Sequence, residues 1–159
     1  MIRPIILKRK FTLLACFVVL TAALSGFGFV AAEYDWLGWG NRCLTEAYDT
    51  SADVKLKKFE LSVNEDAFLR LRKTYQNGKQ EYFSLQLQHL NELVYLGSSY
   101  KGTLRLRAKD EDIIVQTFND KKGNIDSMAT VLDIPLKNIE PERLDSLQRA
   151  FSFLKGKNL

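Results

Sequence analysis

Residues able to do nucleophilic chemistry are scarce in this sequence. His89 is the only histidine, and Cys43 is the only cysteine besides Cys16. A cysteine–histidine dyad needs the imidazole within hydrogen-bond reach of the thiol, and nothing in the sequence around either residue indicates such a pair. We therefore interpret Cys43 as a buried or capping residue and His89 as a surface residue. The sequence predicts no catalytic residue.

Metal and cofactor chemistry is also weakly supported. The triplet Asp110, Glu111 and Asp112 could offer oxygen ligands to calcium together with Asp120 or Asp126, but the ligand order of an EF-hand loop is absent. Carboxylates in a hairpin loop usually serve solvation. No nucleophile elbow, phosphate-binding glycine loop or histidine-rich pattern occurs. We expect neither a metal site nor a cofactor.

One group of polar residues indicates binding. Arginine beside tyrosine is the composition of an interface centre, and the alternation of two predicted hairpins places such residues on the face opposite the leucines. This candidate partner-binding face carries Arg70, Arg72, Tyr82, Arg105 and Arg107. A solvated sheet face would show the same alternation.

The elements that position these residues follow an N-terminal targeting segment, residues 1–32. Four basic residues and no acid stand in its first ten positions, and Phe11 to Ala32 carries no charge. This order is typical of a signal peptide, with cleavage predicted between Ala32 and Glu33 after small residues. The alternatives are an uncleaved anchor, since 22 uncharged residues could span a bilayer, and a lipoprotein signal at Cys16 with a core that is too short.

Charge limits the partners of the remaining chain, residues 33–159. The whole chain has 23 basic and 19 acidic residues, and removing the four basic residues of the leader leaves 19 of each. A neutral domain lacks the field that attracts nucleic acid or an anionic membrane surface. We expect no nucleic-acid partner, and membrane contact only through an uncleaved N-terminal segment.

With Cys43 as the only cysteine left, no internal disulfide can form, which is more typical of a periplasmic domain than of a eukaryotic secreted one.

The first hairpin is the clearest local prediction. Two alternating runs flank Gln76, Asn77 and Gly78, and a three-residue loop with left-handed Gly78 places Leu71 opposite Phe83 and Leu69 opposite Leu85. A two-residue loop would place leucines opposite Ser84 and Gln86. Hydrophobic pairing therefore selects the longer loop.

Three further elements are predicted after this hairpin. A second hairpin turns at Lys109 to Asp112 and pairs Ala108 with Ile113 and Leu106 with Val115. Asn124 could cap a short helix that carries Met128 and Leu132 on one face, with a strand as the alternative, and a C-terminal helix begins at Pro141 and stops at Gly156. That helix carries an apolar face of Leu144, Leu147, Phe151 and Leu154. The segment from Glu33 to Ser51 could hold a short helix near Cys43.

These elements predict an α+β fold, with an antiparallel sheet of about five to six strands built from hairpins and the C-terminal amphipathic helix on one face. The expected function is that of an exported, periplasmic, non-enzymatic protein that binds another protein or envelope component, as accessory, inhibitor or immunity proteins do. A single-pass subunit anchored in the inner membrane and facing the periplasm is the first alternative. A small hydrolase that uses Cys43 or a carboxylate pair is the second.

Overall fold

The computed structural model describes residues 34–157, so the predicted leader and its cleavage site at Ala32 and Glu33 lie outside the described residues. The chain from Asp35 begins with helix α1, Trp36–Ala47. The carboxylate of Asp35 caps α1 by accepting a 2.8 Å hydrogen bond from the backbone N–H of Gly38. Cys43, Leu44 and Ala47 are buried, so the segment that the sequence left open between loop and helix forms a helix with one face in the core.

The larger sheet contains five strands: β1 Leu56–Val63, β2 Phe68–Tyr75, β3 Gln80–Gln86, β6 Ile113–Phe118 and β7 Asp126–Ala129. They pair in the order β1-β2-β3-β6-β7, and every pair is antiparallel. The smaller sheet has the antiparallel order β4-β5-β8. Its strands are β4 Leu90–Gly97, β5 Lys101–Ala108 and β8 Val131–Lys137.

Three stretches of chain pass from one sheet into the other. A 3₁₀ turn, Leu87–His89, joins β3 to β4, residues 109–112 join β5 to β6, and Thr130 alone separates β7 from β8. The end of β5 and the connection between β7 and β8 are joined by a 2.9 Å hydrogen bond from the N–H of Ala108 to the carbonyl of Thr130. The segment after Asn124 with Met128 and Leu132, predicted as a short helix or a strand, therefore forms strands.

The register of the first hairpin is the one predicted. Leu71 lies opposite Phe83 and Leu69 opposite Leu85. Gly78 adopts φ 85°, the left-handed conformation that glycine enters without a steric penalty. Leu69, Leu71 and Leu85 are completely buried, so the assignment of the leucine face is confirmed.

The predicted pairing of the second hairpin is wrong. Leu106 lies between Leu93 and Leu132, whereas Val115 lies between Phe83 and Ser127. Residues 109–112 form a corner rather than a hairpin turn, so β5 and β6 belong to different sheets. Alternation fixes which face a side chain occupies but does not identify the neighbouring strand.

The C-terminal helix α2, Pro141–Lys157, begins at the predicted proline and buries Leu147, Phe151 and Leu154. It continues one residue past the predicted stop at Gly156. It packs against α1 and the 3₁₀ turn. The α+β class, with antiparallel strands and a C-terminal helix, is confirmed. Among residues 34–157, neither helix is long and apolar enough to cross a membrane.

Candidate binding surface

The five residues predicted to form one binding face lie on two sheets. Arg70, Arg72 and Tyr82 belong to the five-stranded sheet, whereas Arg105 and Arg107 belong to the three-stranded sheet. The prediction of a single shared sheet face is therefore corrected. The cause is the misassigned second hairpin, which placed β5 beside β6 in one sheet.

The two arginines of the smaller sheet have carboxylate partners on adjacent strands. Arg105 donates two hydrogen bonds to Asp133, at 2.8 and 2.7 Å. Arg107 lies 3.3 Å from Glu92. Hydrogen bonding between the Arg105 guanidinium and Asp133 raises the pKa of Arg105 and holds the pKa of Asp133 below its usual value. The positive charge on this face is therefore compensated locally.

The arginines of the larger sheet have a different environment. The guanidinium of Arg70 lies 5.5 Å from the ring centre of Phe68, and that of Arg72 lies 5.7 Å from the ring centre of Tyr82. Arg72 approaches one carboxylate, Glu60, at 3.8 Å. No Asp or Glu of the described chain forms an ion pair with Arg70. We call the outer surface formed by Phe68, Arg70, Arg72 and Tyr82 the arginine face.

Strand pairing shows what lies beside the arginine face. Arg70 is opposite Ser84, Ser84 is opposite Ile114, and Ile114 is opposite Met128. Ser84 is only 4% exposed although it points outward, because longer side chains stand on both sides of it. Met128 is 48% exposed and Phe118, on the same face, is 44% exposed. The outer surface is therefore basic and aromatic on β2 and β3 and mixed on β6 and β7, where apolar side chains stand beside the hydrogen-bonded pair of Gln116 and Asp126.

A polar network lies on the opposite, inner face of the same sheet. Asp53 accepts hydrogen bonds from the Tyr48 hydroxyl at 2.9 Å and from Lys73 Nζ at 3.0 Å. The Tyr75 hydroxyl donates to Glu81 at 2.8 Å. Burial, followed by these carboxylate contacts, raises the pKa of both tyrosines. The hydroxyls stay protonated as donors, which suits them to holding structure rather than to acid–base chemistry.

The network continues to a second lysine. Lys79 Nζ lies 3.0 Å from Glu81 and 3.0 Å from Asp120, so it joins β3 to the turn after β6. This network was not predicted from the sequence, although Lys73 and Glu81 have the same parity as the buried leucines. That parity was the available signal that a charged pair points inward.

Cys43 and His89 occupy separate environments. Cys43 is 1% exposed, and burial raises the pKa of its thiol, against a smaller opposing effect of the nearby Arg143 guanidinium. His89 Nδ1 lies 3.4 Å from Asp112. A buried thiol with a raised pKa is a poor source of the thiolate that nucleophilic catalysis requires.

Asp110 and Glu111, the other acids of the predicted triplet, are exposed. Within residues 34–157, no group of three or more His, Cys, Asp or Glu side chains is arranged to hold a metal ion. Comparison of the chain with protein-family models, curated proteins and solved structures finds no significant match.

Proposed function

We propose that this chain is an exported, non-enzymatic envelope protein that binds another protein or envelope component through the arginine face. The observation that carries the proposal is the state of Arg70 and Arg72. Both guanidinium groups lie over aromatic rings on an exposed strand, and Arg70 has no carboxylate partner in the described chain. This surface therefore holds the one arginine of the predicted binding face that has no carboxylate partner among the described residues, together with Arg72, whose approach to Glu60 is the longest of the arginine–carboxylate contacts on that face.

Preorganisation supports this use of the two arginines. A guanidinium held over an aromatic ring has lost part of its rotamer freedom before a ligand arrives, which lowers the entropic cost of binding. Its N–H donors still face solvent and can bind a carboxylate or phosphate in a bidentate manner. The exposed Met128 and Phe118 extend the surface with apolar area that a partner could cover.

The burial of Cys43 and the matched charges of the inner network favour binding over the hydrolase alternative. The anchored alternative differs only at the N-terminus and would use the same arginine face. The intact mass of the protein isolated from its envelope distinguishes the two forms. The mass of a chain that begins at Glu33 would support export with cleavage. The mass of the full-length chain, in a protein that only detergent extracts, would support an anchor.

The chain offers a matched pair of variants to test the binding surface. Arg70→Gln with Arg72→Gln removes the unpaired Arg70 and the loosely paired Arg72, while Arg105→Gln with Arg107→Gln removes two arginines that are closely paired with carboxylates. The first variant should recover several-fold less of any partner captured by the parent from envelope extract, as quantified by mass spectrometry. The second should recover nearly as much as the parent. An equal loss of captured partner in both variants would show that the interaction depends on overall positive charge and not on the arginine face. No loss of captured partner in the first variant would overturn the proposal.

A further inference from the structure

Three of the four sheet edges in the described chain are covered, charged or short. The edge of β1 carries the charges of Lys57, Lys58 and Glu60, and at its end the side-chain amide of Asn41 bonds both backbone groups of Val63. The edge of β8 is occupied by residues 48 and 49, since the N–H of Asp49 donates to the carbonyl of Pro135 at 2.9 Å. The third edge strand, β7, has four residues and carries the charge of Asp126. Proteins protect sheet edges in these ways against pairing with other chains.

The fourth edge, β4, has eight residues, and along most of its length the described chain provides none of these protections. Among residues 34–157, only the backbone of its first residue is engaged at this edge, because Lys155 Nζ donates to the carbonyl of Leu90 at 2.7 Å. The strand contains no lysine and no proline, and Glu92 is its only charged residue. Leu93, Val94, Tyr95 and Leu96 form an uninterrupted nonpolar run, in which Leu96 is 47% exposed.

The register shows which backbone groups face this open edge. In an antiparallel pair, hydrogen-bonded and non-hydrogen-bonded positions alternate. The N–H of Ser98 donates to the carbonyl of Lys101, so the bonds from β4 to β5 fall at Leu96, Val94 and Glu92. The N–H and C=O groups of Leu93, Tyr95 and Gly97 therefore point away from β5, and no other residue of the described chain bonds to them.

We infer that β4 pairs antiparallel with β4 of a second copy of this chain, which joins the two three-stranded sheets into one six-stranded sheet. A two-fold axis at Val94 places Leu93 opposite Tyr95 of the second copy. In this register Leu93 and Tyr95 of the second copy exchange N–H to C=O hydrogen bonds, and the outward-pointing groups of Gly97 lie opposite Asn91 of the second copy. Val94 then lies opposite Val94 of the second copy in a non-hydrogen-bonded position.

Charge and packing both favour a second copy as the occupant. In this register Glu92 lies opposite Leu96 of the second copy, so no like charges face each other directly. The two Glu92 residues are four positions apart along the strands, roughly 13 Å, which is beyond the Debye length of about 8 Å in physiological salt. Each is also 3.3 Å from its own Arg107. The exposed Leu96 would be covered by the aliphatic stem of Glu92.

The first test is the oligomeric state of the full chain, expressed with its N-terminal segment and isolated in the form in which the cell exports it. Sedimentation at tens of micromolar should give a dimer. Val94→Lys places two ammonium groups side by side in the dimer and should produce a folded monomer. Thr103→Lys, on the same face but in the central strand β5, should leave the dimer intact. A monomeric parent, or a Val94→Lys variant that remains dimeric, would overturn the inference.

Disulfide trapping tests the register. In a chain with Cys16→Ser, the remaining native thiol, Cys43, is buried. Val94→Cys should then form a covalent dimer on mild oxidation, because opposed non-hydrogen-bonded positions lie about 4.5 Å apart at Cα. Leu96→Cys should not, since its two copies are four positions apart. Trapping through Leu96→Cys but not Val94→Cys would contradict this pairing. Failure of the arginine-face variants to bind a partner would leave both results unchanged, so the two proposals are tested separately.

Discussion

Asn41 and Val63 form a reciprocal pair of hydrogen bonds that joins helix α1 to the edge of β1. Asn41 Nδ2 donates to the carbonyl of Val63 at 2.9 Å, and the N–H of Val63 donates to Asn41 Oδ1 at 2.6 Å. One side-chain amide thus supplies the donor and acceptor that a neighbouring strand would provide. The helix is connected to the sheet by a polar contact as well as by its buried apolar face.

Replacing Asn41 should destabilise the fold. Asn41→Ala leaves the N–H and C=O of Val63 without these partners, and we expect a loss of about 1 to 3 kcal/mol in the free energy of unfolding. Asn41→Asp keeps an acceptor for the N–H but places its second carboxylate oxygen against the Val63 carbonyl, so its loss should be at least as large as that of the alanine variant. Urea unfolding of both variants measures the difference. An alanine variant as stable as the parent would show that water replaces the amide without cost.

Leu71 tests the assignment of the inner face. It is completely buried between Leu61 and Phe83, and Leu71→Ala should cost about 2 to 5 kcal/mol in the free energy of unfolding. The adjacent Arg72 is exposed on the other face, so Arg72→Ala should change stability by less than about 0.5 kcal/mol. Thermal and urea unfolding provide the comparison. Similar losses in the two variants would contradict the separation of faces.

The two hairpins show what the sequence could and could not predict. The first was predictable because loop length and the matching of leucines with Phe83 and Leu85 select one register. The second was not, for two reasons. Residues 109–112 are polar, which is expected both of a hairpin turn and of a connection between two sheets. In addition, β5 and β6 alternate in the same way whichever strand lies beside them. The candidate face inherited this error, since Arg105 and Arg107 alternate as Arg70 and Arg72 do. Their carboxylate partners Glu92 and Asp133 lie on strands that alternation cannot identify.

Asp49 provides a pH-dependent prediction. Its side chain is 2% exposed and accepts hydrogen bonds from the Ser51 hydroxyl at 2.6 Å and from the Ser51 N–H at 3.0 Å. The Ser51 hydroxyl is the main cause that lowers the pKa of Asp49, and Lys101 adds to the effect against an opposing desolvation.

A carboxyl with a lowered folded-state pKa contributes stability above its unfolded pKa, and this contribution is lost as the pH falls through the folded value. Between pH 7 and pH 3, the parent should therefore lose stability more steeply than Asp49→Asn. Ser51→Ala should show an intermediate slope. Urea midpoints across this range measure the effect, and parallel profiles for all three proteins would disprove it.

Gln88 is an orphaned polar group. Its side-chain nitrogen and oxygen are both buried and have no hydrogen-bond partner among residues 34–157, in the 3₁₀ turn that joins the two sheets. Gln88→Met keeps the length of the side chain and removes the buried amide, so it should stabilise the protein by about 1 to 2 kcal/mol. Gln86→Met, two residues earlier and partly exposed, should be nearly neutral. A destabilised Gln88→Met variant would indicate that the amide is satisfied in solution.

The buried ion pair between Lys73 and Asp53 allows a double-mutant cycle. The two side chains are 11% and 17% exposed and approach to 2.9 Å, with the Tyr48 hydroxyl also donating to Asp53. Removing one partner leaves the other charge buried, so Lys73→Met and Asp53→Asn should each cost about 3 to 5 kcal/mol in the free energy of unfolding. The double variant buries neither charge and should lose clearly less than the sum of the single losses.

The exposed pair Lys58 and Glu60, at 2.6 Å, is the matched control and should show a coupling of less than about 1 kcal/mol. Additive losses at Lys73 and Asp53 would mean that solvent reaches the pair and that the inner network does not hold β2 to the chain before β1.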